Sequence, residues 1–202
     1  RHTDDESAQG AFTAFVENVE PKLKTVSFEL DRAIVSSPFA ARLDQDRYGV
    51  LLRRLTVDVE LFREENVALQ TEVTKLDQEY SKINGAMTVE FDGRTQTVPQ
   101  MARYLEETDR AVRERAWRAI NERRLVDADR IDAIYDAMIG LRHRMATNAG
   151  FSNFRDFQHR RYHRFDYTPQ DCATFHASVE ASCVPAMREL HRERAAVMGL
   201  PS

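Results

Sequence analysis

Glycine and proline are scarce in this chain, with seven and six among 202 residues, about half of what average usage would supply. A sandwich, a barrel or a repeated βαβ protein needs a turn signal every ten residues or so, so this shortage excludes them and leaves long helices. Cysteine is almost missing as well. The two present, Cys172 and Cys183, stand on one predicted helix about 16 Å apart along its axis, too far for a disulfide. Free thiols, with no signal-like apolar stretch between Arg1 and Phe15, predict a cytoplasmic protein. No run approaches the ~18 apolar residues of a membrane span, so no membrane partner is expected. A basic excess is lacking too: the formal net charge is −4, against the strongly basic balance of most nucleic-acid-binding domains. There is no Gly-x-Gly-x-x-Gly, Walker loop or Gly-x-Ser-x-Gly, which leaves nucleotide-binding and serine-hydrolase readings without support.

What remains, 42% hydrophobic and 31% charged residues, suits a globular chain with a core. Its apolar residues recur at three- and four-residue steps. Phe12, Phe15, Val16, Val19, Leu23, Val26, Leu30 and Ile34 mark one stripe of a helix from about Asp4 to Ser36, which Pro21 should kink or divide. A short helix from Phe39 to Tyr48 follows, then a stripe of Leu52, Leu55, Val59 and Phe62 after Gly49. Thr71 is the expected cap of a helix with Val73, Leu76, Tyr80 and Ile83 on its core face, ending near Gly85. Met87 to Val98 departs from this pattern. Its Asp92-Gly93 step between two short alternating runs predicts a β-hairpin.

Pro99 opens a short helix to about Glu106, and Thr108 is placed as the cap of one striped by Val112, Ala116, Ala119 and Ile120. Beyond a break near Leu125 to Asp129, a stripe of Ile131, Ile134, Tyr135, Met138, Leu141 and Met145 runs to Asn148 and Gly150. Ser152 is read as the start of the helix holding Phe154, Phe157 and Arg161. Thr168-Pro169-Gln170-Asp171 forms a capping box for a last helix reaching about Val197, interrupted at Pro185 and closed by Gly199 and Pro201. The expected fold is therefore all-α, with long antiparallel helices and one small hairpin near 87–98. With no repeat or linker, residues 1–202 read as a single helical unit.

Candidate chemistry is thin. His159 and His163 have the four-residue spacing of a zinc-binding helix, but arginine follows His159 where a zincin carries its general base, so packing or solvation is the expected role. His176 and Glu180 form a similar pair of a kind common on charged helices. Cys172 lies in a first helical turn, where the dipole favours a thiolate, yet a small buried residue is the simpler expectation. Between Arg103 and Arg164 fourteen arginines face ten acids. Arg160, Arg161 and Arg164 beside Tyr162, Phe165 and Tyr167 suit a nucleic-acid surface, but Arg110, Glu114 and Arg118 illustrate the preferred alternative, a salt-bridged helix surface. Trp117 adjoins the Val112–Ile120 stripe and is expected in a core or an interface.

Five ordered stretches carry a family resemblance. They are Leu61-Phe-Arg-Glu-Glu-Asn66; Tyr80 to Phe91 with Gly85-Ala-Met-Thr-Val-Glu-Phe-Asp-Gly93; Asp109-Arg-Ala-Val-Arg-Glu-Arg-Ala-Trp-Arg118; Leu141-Arg-His-Arg-Met-Ala-Thr-Asn-Ala-Gly-Phe151 with Asn153-Phe-Arg-Asp-Phe157; and Arg164-Phe-Asp-Tyr-Thr-Pro-Gln-Asp-Cys172 leading to Val184-Pro185. Together they resemble the amino-terminal part of the oligoendopeptidase F branch of the thimet-oligopeptidase family of zinc metallopeptidases. The resemblance implies a mostly helical peptidase with a deep channel between two halves, of which this chain would supply a wall. It implies zinc in the full-length protein, short peptides as substrates and association with a carboxy-terminal catalytic half. The family's His-Glu-x-x-His helix does not occur in these 202 residues. No catalytic, cofactor-binding or metal-ligating residue is therefore carried over. This segment alone is expected to be inactive, because no metal would polarise the carbonyl or acidify a water. The alternative is a stand-alone helical module that binds a peptide or protein partner without catalysis. An RNA-binding helical domain built on the arginines ranks behind both.

Overall fold

The computed structural model describes residues 5–200, so the expected helix start at Asp4 and the closing Pro201 lie outside the described residues. The fold is helical with one two-stranded antiparallel sheet, as the composition implies. The first stripe is divided, as Pro21 allows, into helices α1 (Glu6–Asn18) and α2 (Glu20–Val35), with the break at Val19 rather than at the proline itself. Pro21 occupies the first turn of α2, where its missing N–H costs nothing. The expected helix from Phe39 to Tyr48 is instead a 3-10 turn at Ala40–Arg42, followed by α3 (Gln45–Leu61). Asp44 sets that boundary, because its carboxylate accepts from the backbone N–H groups of Asp46 and Arg47. Gly49 consequently lies inside α3.

Helix α4 (Glu64–Gly85) begins seven residues before the expected cap. Thr71 is an interior residue whose hydroxyl donates to the Val67 carbonyl at 3.2 Å, an alternative to capping open to any helical threonine. Strands β1 (Thr88–Phe91) and β2 (Arg94–Thr97) pair with Thr88 opposite Thr97 and Phe91 opposite Arg94. The turn between them has positive φ at both Asp92 (52°) and Gly93 (71°), as a two-residue hairpin loop requires. Thr97 caps α5 (Val98–Met101) through a capping box with Gln100, and a 3-10 segment continues to Glu106. Asp109 rather than Thr108 caps α6 (Arg110–Val126); its carboxylate accepts from the Ala111 N–H at 2.8 Å.

Helix α7 (Ala128–Asn148) follows after one residue. Asn153, not Ser152, caps α8 (Phe154–Arg161), and the amide oxygen reaches the Asp156 N–H at 2.9 Å. Helix α9 (Pro169–Val197) starts at the expected box of Thr168 and Asp171, but it runs unbroken through Pro185. Its end matches expectation: Gly199 has φ 63°, and the Leu200 N–H reaches back to the Ala195 carbonyl.

The apolar interior falls into three clusters. Val89, Phe91 and Met101 pack on Ala116 and Ile120, which seats the hairpin against α6. Ile83 and Met87 meet Ile134 and Met138 between α4 and α7. Met145, Ala146, Ala149 and Phe157 join the end of α7 to α8. Removing these side chains from water, at ~25 cal/mol per Å², is what holds each helix pair. Tyr135 departs from the expected α7 stripe and is exposed. The α1–α2 stripe departs further: only Val16 is buried, whereas Phe12, Phe15, Val19, Leu23, Val26, Leu30 and Ile34 are exposed. Helix α9 contains no buried residue at all.

Candidate functional site

The sequence-selected histidines do not converge. Helix α8 ends at Arg161, and His163 adopts φ 53° beyond it, so the pair loses the helical geometry its spacing suggested. The two rings face different partners. His163 Nε2 lies 2.8 Å from Asp58 Oδ1 on α3, while the His159 ring meets Tyr167 edge-on with centroids 5.5 Å apart. His159 Nε2 is a buried atom without a hydrogen-bond partner. His176 and Glu180 are both exposed on α9, and the His176 ring faces Phe175. Cys172 is half-buried in the first turn of α9 and Cys183 is exposed, which corrects the expectation of a small buried residue. Among the described residues no group of three or more His, Cys, Asp or Glu side chains could hold a metal ion. The described residues thus hold no donor set for the zinc that the resemblance implies for the full-length protein.

The arginines are organised mainly by acids and rings. Arg160 pairs with Glu60 at 2.7 Å, Arg130 with Glu79 at 2.9 Å, Arg118 with Glu114 at 2.9 Å and Arg123 with Asp127 at 2.6 Å. The aromatic groups singled out for base stacking carry guanidinium neighbours. Arg53 lies 4.1 Å from the centre of the Phe165 ring, and Arg164 is over both Tyr162 and Tyr167. Trp117 is 58% exposed and so is no core residue. Ala116 turns toward the hairpin, and the next residue on a helix points about 100° away.

Three polar junctions escaped the sequence reading. Asn66, 1% exposed, donates its amide to the Met145 carbonyl at 2.9 Å and accepts from Asn148 at 2.8 Å. Gln96 donates to the Phe91 carbonyl and to the Tyr104 hydroxyl, and accepts from Arg103. Asp31 and Asp58 line a cleft of about 290 Å³ together with Leu23, Phe28, Phe62 and Val67. The Phe28 and Phe62 rings stack there at 4.0 Å. Burial first, and the neighbouring Asp58 charge second, raise the Asp31 carboxyl above its ordinary range. Nothing in a one-dimensional pattern signals the Asn66–Asn148 and Asp31–Asp58 pairs, whose members lie tens of residues apart, and the Gln96 contacts, five to eight residues away, depend on the hairpin folding back toward Arg103 and Tyr104.

The likeness to known structures covers nearly the whole of this chain. Residues 103–200 match the family model described as Peptidase family M3. In structure, 99% of the chain superposes on an X-ray structure named as an oligoendopeptidase F, with TM-score 0.91 and 28% identity over 35% of that chain. A PZ peptidase A with an inhibitor matches 98% of this chain with TM-score 0.90 and 27% identity, over 35% of its own length. The fold is also that of an oligoendopeptidase F structure from Bacillus anthracis str. Ames, at TM-score 0.91 and 24% identity over 37% of that chain. No curated protein sequence matches. The resemblance to an oligoendopeptidase F-like peptidase is therefore borne out, in a chain that spans about a third of the length of those structures. No described helix is long and apolar enough to cross a membrane.

Proposed function

We propose that residues 1–202 form one helical unit, the non-catalytic amino-terminal part of a zinc-dependent oligoendopeptidase, and that this unit builds one wall of the substrate channel. The observation that carries the reading is the match of 99% of the chain to about a third of a structure named as an oligoendopeptidase F. The exposed apolar stripe of α1 and α2 and the unburied α9 support it. Such surface is costly to leave in water and marks a site of association. The partner of this unit is a carboxy-terminal catalytic half that brings the zinc ligands and the general base. The substrates are short peptides, admitted by the channel while folded proteins are kept out, and the enzyme works in the cytoplasm. Joining the chain to a catalytic half, in one polypeptide or in trans, should produce zinc-dependent cleavage of a quenched fluorescent peptide. An intact, zinc-loaded assembly that cleaves no member of a peptide library would refute the reading.

The exposed faces of α1, α2 and α9 also favour a second reading, a stand-alone helical module that binds a peptide or protein without catalysis. That module should be monodisperse by itself and should hold a defined partner in native mass spectrometry. The channel-wall unit should instead self-associate through its apolar faces until its catalytic half is supplied.

A further inference from the structure

We propose that the outer face of α6 is a docking groove for an acidic peptide segment in extended conformation. The groove, about 460 Å³, is lined by Leu105, Arg110, Arg113, Glu114, Trp117 and Arg118. Its charge is opposite to that of the chain. Three arginines and one glutamate meet here on a protein of net charge −4, so the groove attracts what the rest of the surface repels.

The side chains divide the work. Arg113 donates to the carbonyls of Glu107 at 2.6 Å and Thr108 at 2.9 Å, which fixes the rim against the loop before α6. Arg118 meets a single oxygen of Glu114 through both Nε and Nη2, and this pair is 62% and 46% exposed. An ion pair so open to water is weak and exchangeable, which lets the Arg118 fork turn to an incoming carboxylate, the geometry a guanidinium prefers. Leu105 and the exposed Trp117 indole provide the apolar floor, and tryptophan and arginine are both enriched among the residues that dominate binding energy in protein recognition.

Spacing selects the occupant. Arg110 and Arg118 are about 12 Å apart along the helix, and two carboxylates four residues apart on an extended strand are about 13 Å apart, with the residue between them on the same side. An extended peptide with acids at its first and fifth positions therefore reaches both arginines, and an apolar residue between those acids can lean onto Trp117, which adjoins Arg118. A nucleic acid fits less well, because Glu114 within the groove interrupts the positive charge, which suits two spaced carboxylates better than an unbroken run of phosphates.

Trp117 is the only tryptophan, so its emission reports on this site alone. Titration of the chain with acetyl-Glu-Ser-Leu-Ser-Glu-amide should give a saturable change in that emission. The Gln-for-Glu peptide should bind about tenfold more weakly, the size expected for a lost charge-assisted contact. An Arg110→Gln, Arg118→Gln variant with an unchanged far-ultraviolet circular dichroism spectrum should show the same loss. The groove is not an acidic-peptide site if the emission does not saturate, if the Gln peptide binds equally well, or if oligo-dT displaces the peptide at equal charge. This test involves no catalysis, so its failure would leave the channel-wall reading standing, and failure of that reading would leave the groove.

Discussion

Asn66 near the start of α4 and Asn148 at the end of α7 share a hydrogen bond of 2.8 Å across 82 residues of sequence. The Asn66 amide also donates to the Met145 carbonyl, and Arg63 Nε donates to the Asn148 carbonyl at 3.1 Å. Two of the stretches that carry the family resemblance, Leu61–Asn66 and Leu141–Phe151, are thus docked on each other. Burying a polar side chain is tolerable only with its partners in place. Here the partners are the means by which one motif positions the other.

Asn66→Ala should therefore be costly. It removes both bonds, leaves the Met145 carbonyl without this donor and opens a void, a loss of about 2–3 kcal/mol. In a thermal unfolding scan the midpoint should fall by roughly 2–4 °C for each kcal/mol. Asn148→Ala, which keeps the Asn66 bond to Met145, should fall less.

Asp31 makes stability depend on pH. Its carboxyl is raised by burial and by Asp58, so above the ordinary aspartate value the folded chain holds this proton more tightly than the unfolded chain does. Its contribution to stability is fully present below that value and is lost as pH rises through the raised one. Asp31→Asn should accordingly raise the unfolding midpoint at pH 7 and leave it nearly unchanged at pH 3. Equal shifts at the two pH values would contradict this account.

Pro185 sits inside α9, where it provides no N–H and crowds the preceding turn. The helix persists through it. Pro185→Ala should restore a backbone bond and stabilise this stretch by up to ~3 kcal/mol, seen as slower amide exchange around residues 181–189 with no change in α4 or α7.

Gly93→Ala should cost about 1–2 kcal/mol. A Cβ at this position meets nothing within 4 Å, so the penalty comes from its φ of 71° alone. The loss should appear as faster exchange in β1 and β2. Because the same hairpin packs on Ala116 and Ile120, the middle turns of α6 should loosen with it.

Local chemistry by itself determined much of this protein. The shortage of glycine and proline predicts long helices, Asp92-Gly93 places the hairpin, and Thr168 with Asp171 starts α9, because each depends on atoms a few residues apart. The five ordered stretches identify the peptidase likeness for a related reason: their order survives in one dimension. Boundaries were less legible where two capping candidates adjoin. Asp109 prevails over Thr108 and Asn153 over Ser152, because only the folded backbone decides which oxygen reaches a free N–H.

What tertiary structure alone decided is which apolar stripes are covered. The periodicity of Phe12 to Ile34 is as regular as that of Ile131 to Met145, yet the first is largely exposed and the second largely buried. Periodicity records that a face is suited to burial; only the packed neighbours determine whether anything lies against it. The same holds for the site. His159 and His163 are four apart in sequence and are drawn to different partners, whereas Asp58 and His163, or Asn66 and Asn148, are distant in sequence and within hydrogen-bond reach. A hydrogen bond depends on distance in space, which the chain acquires only when its helices have packed.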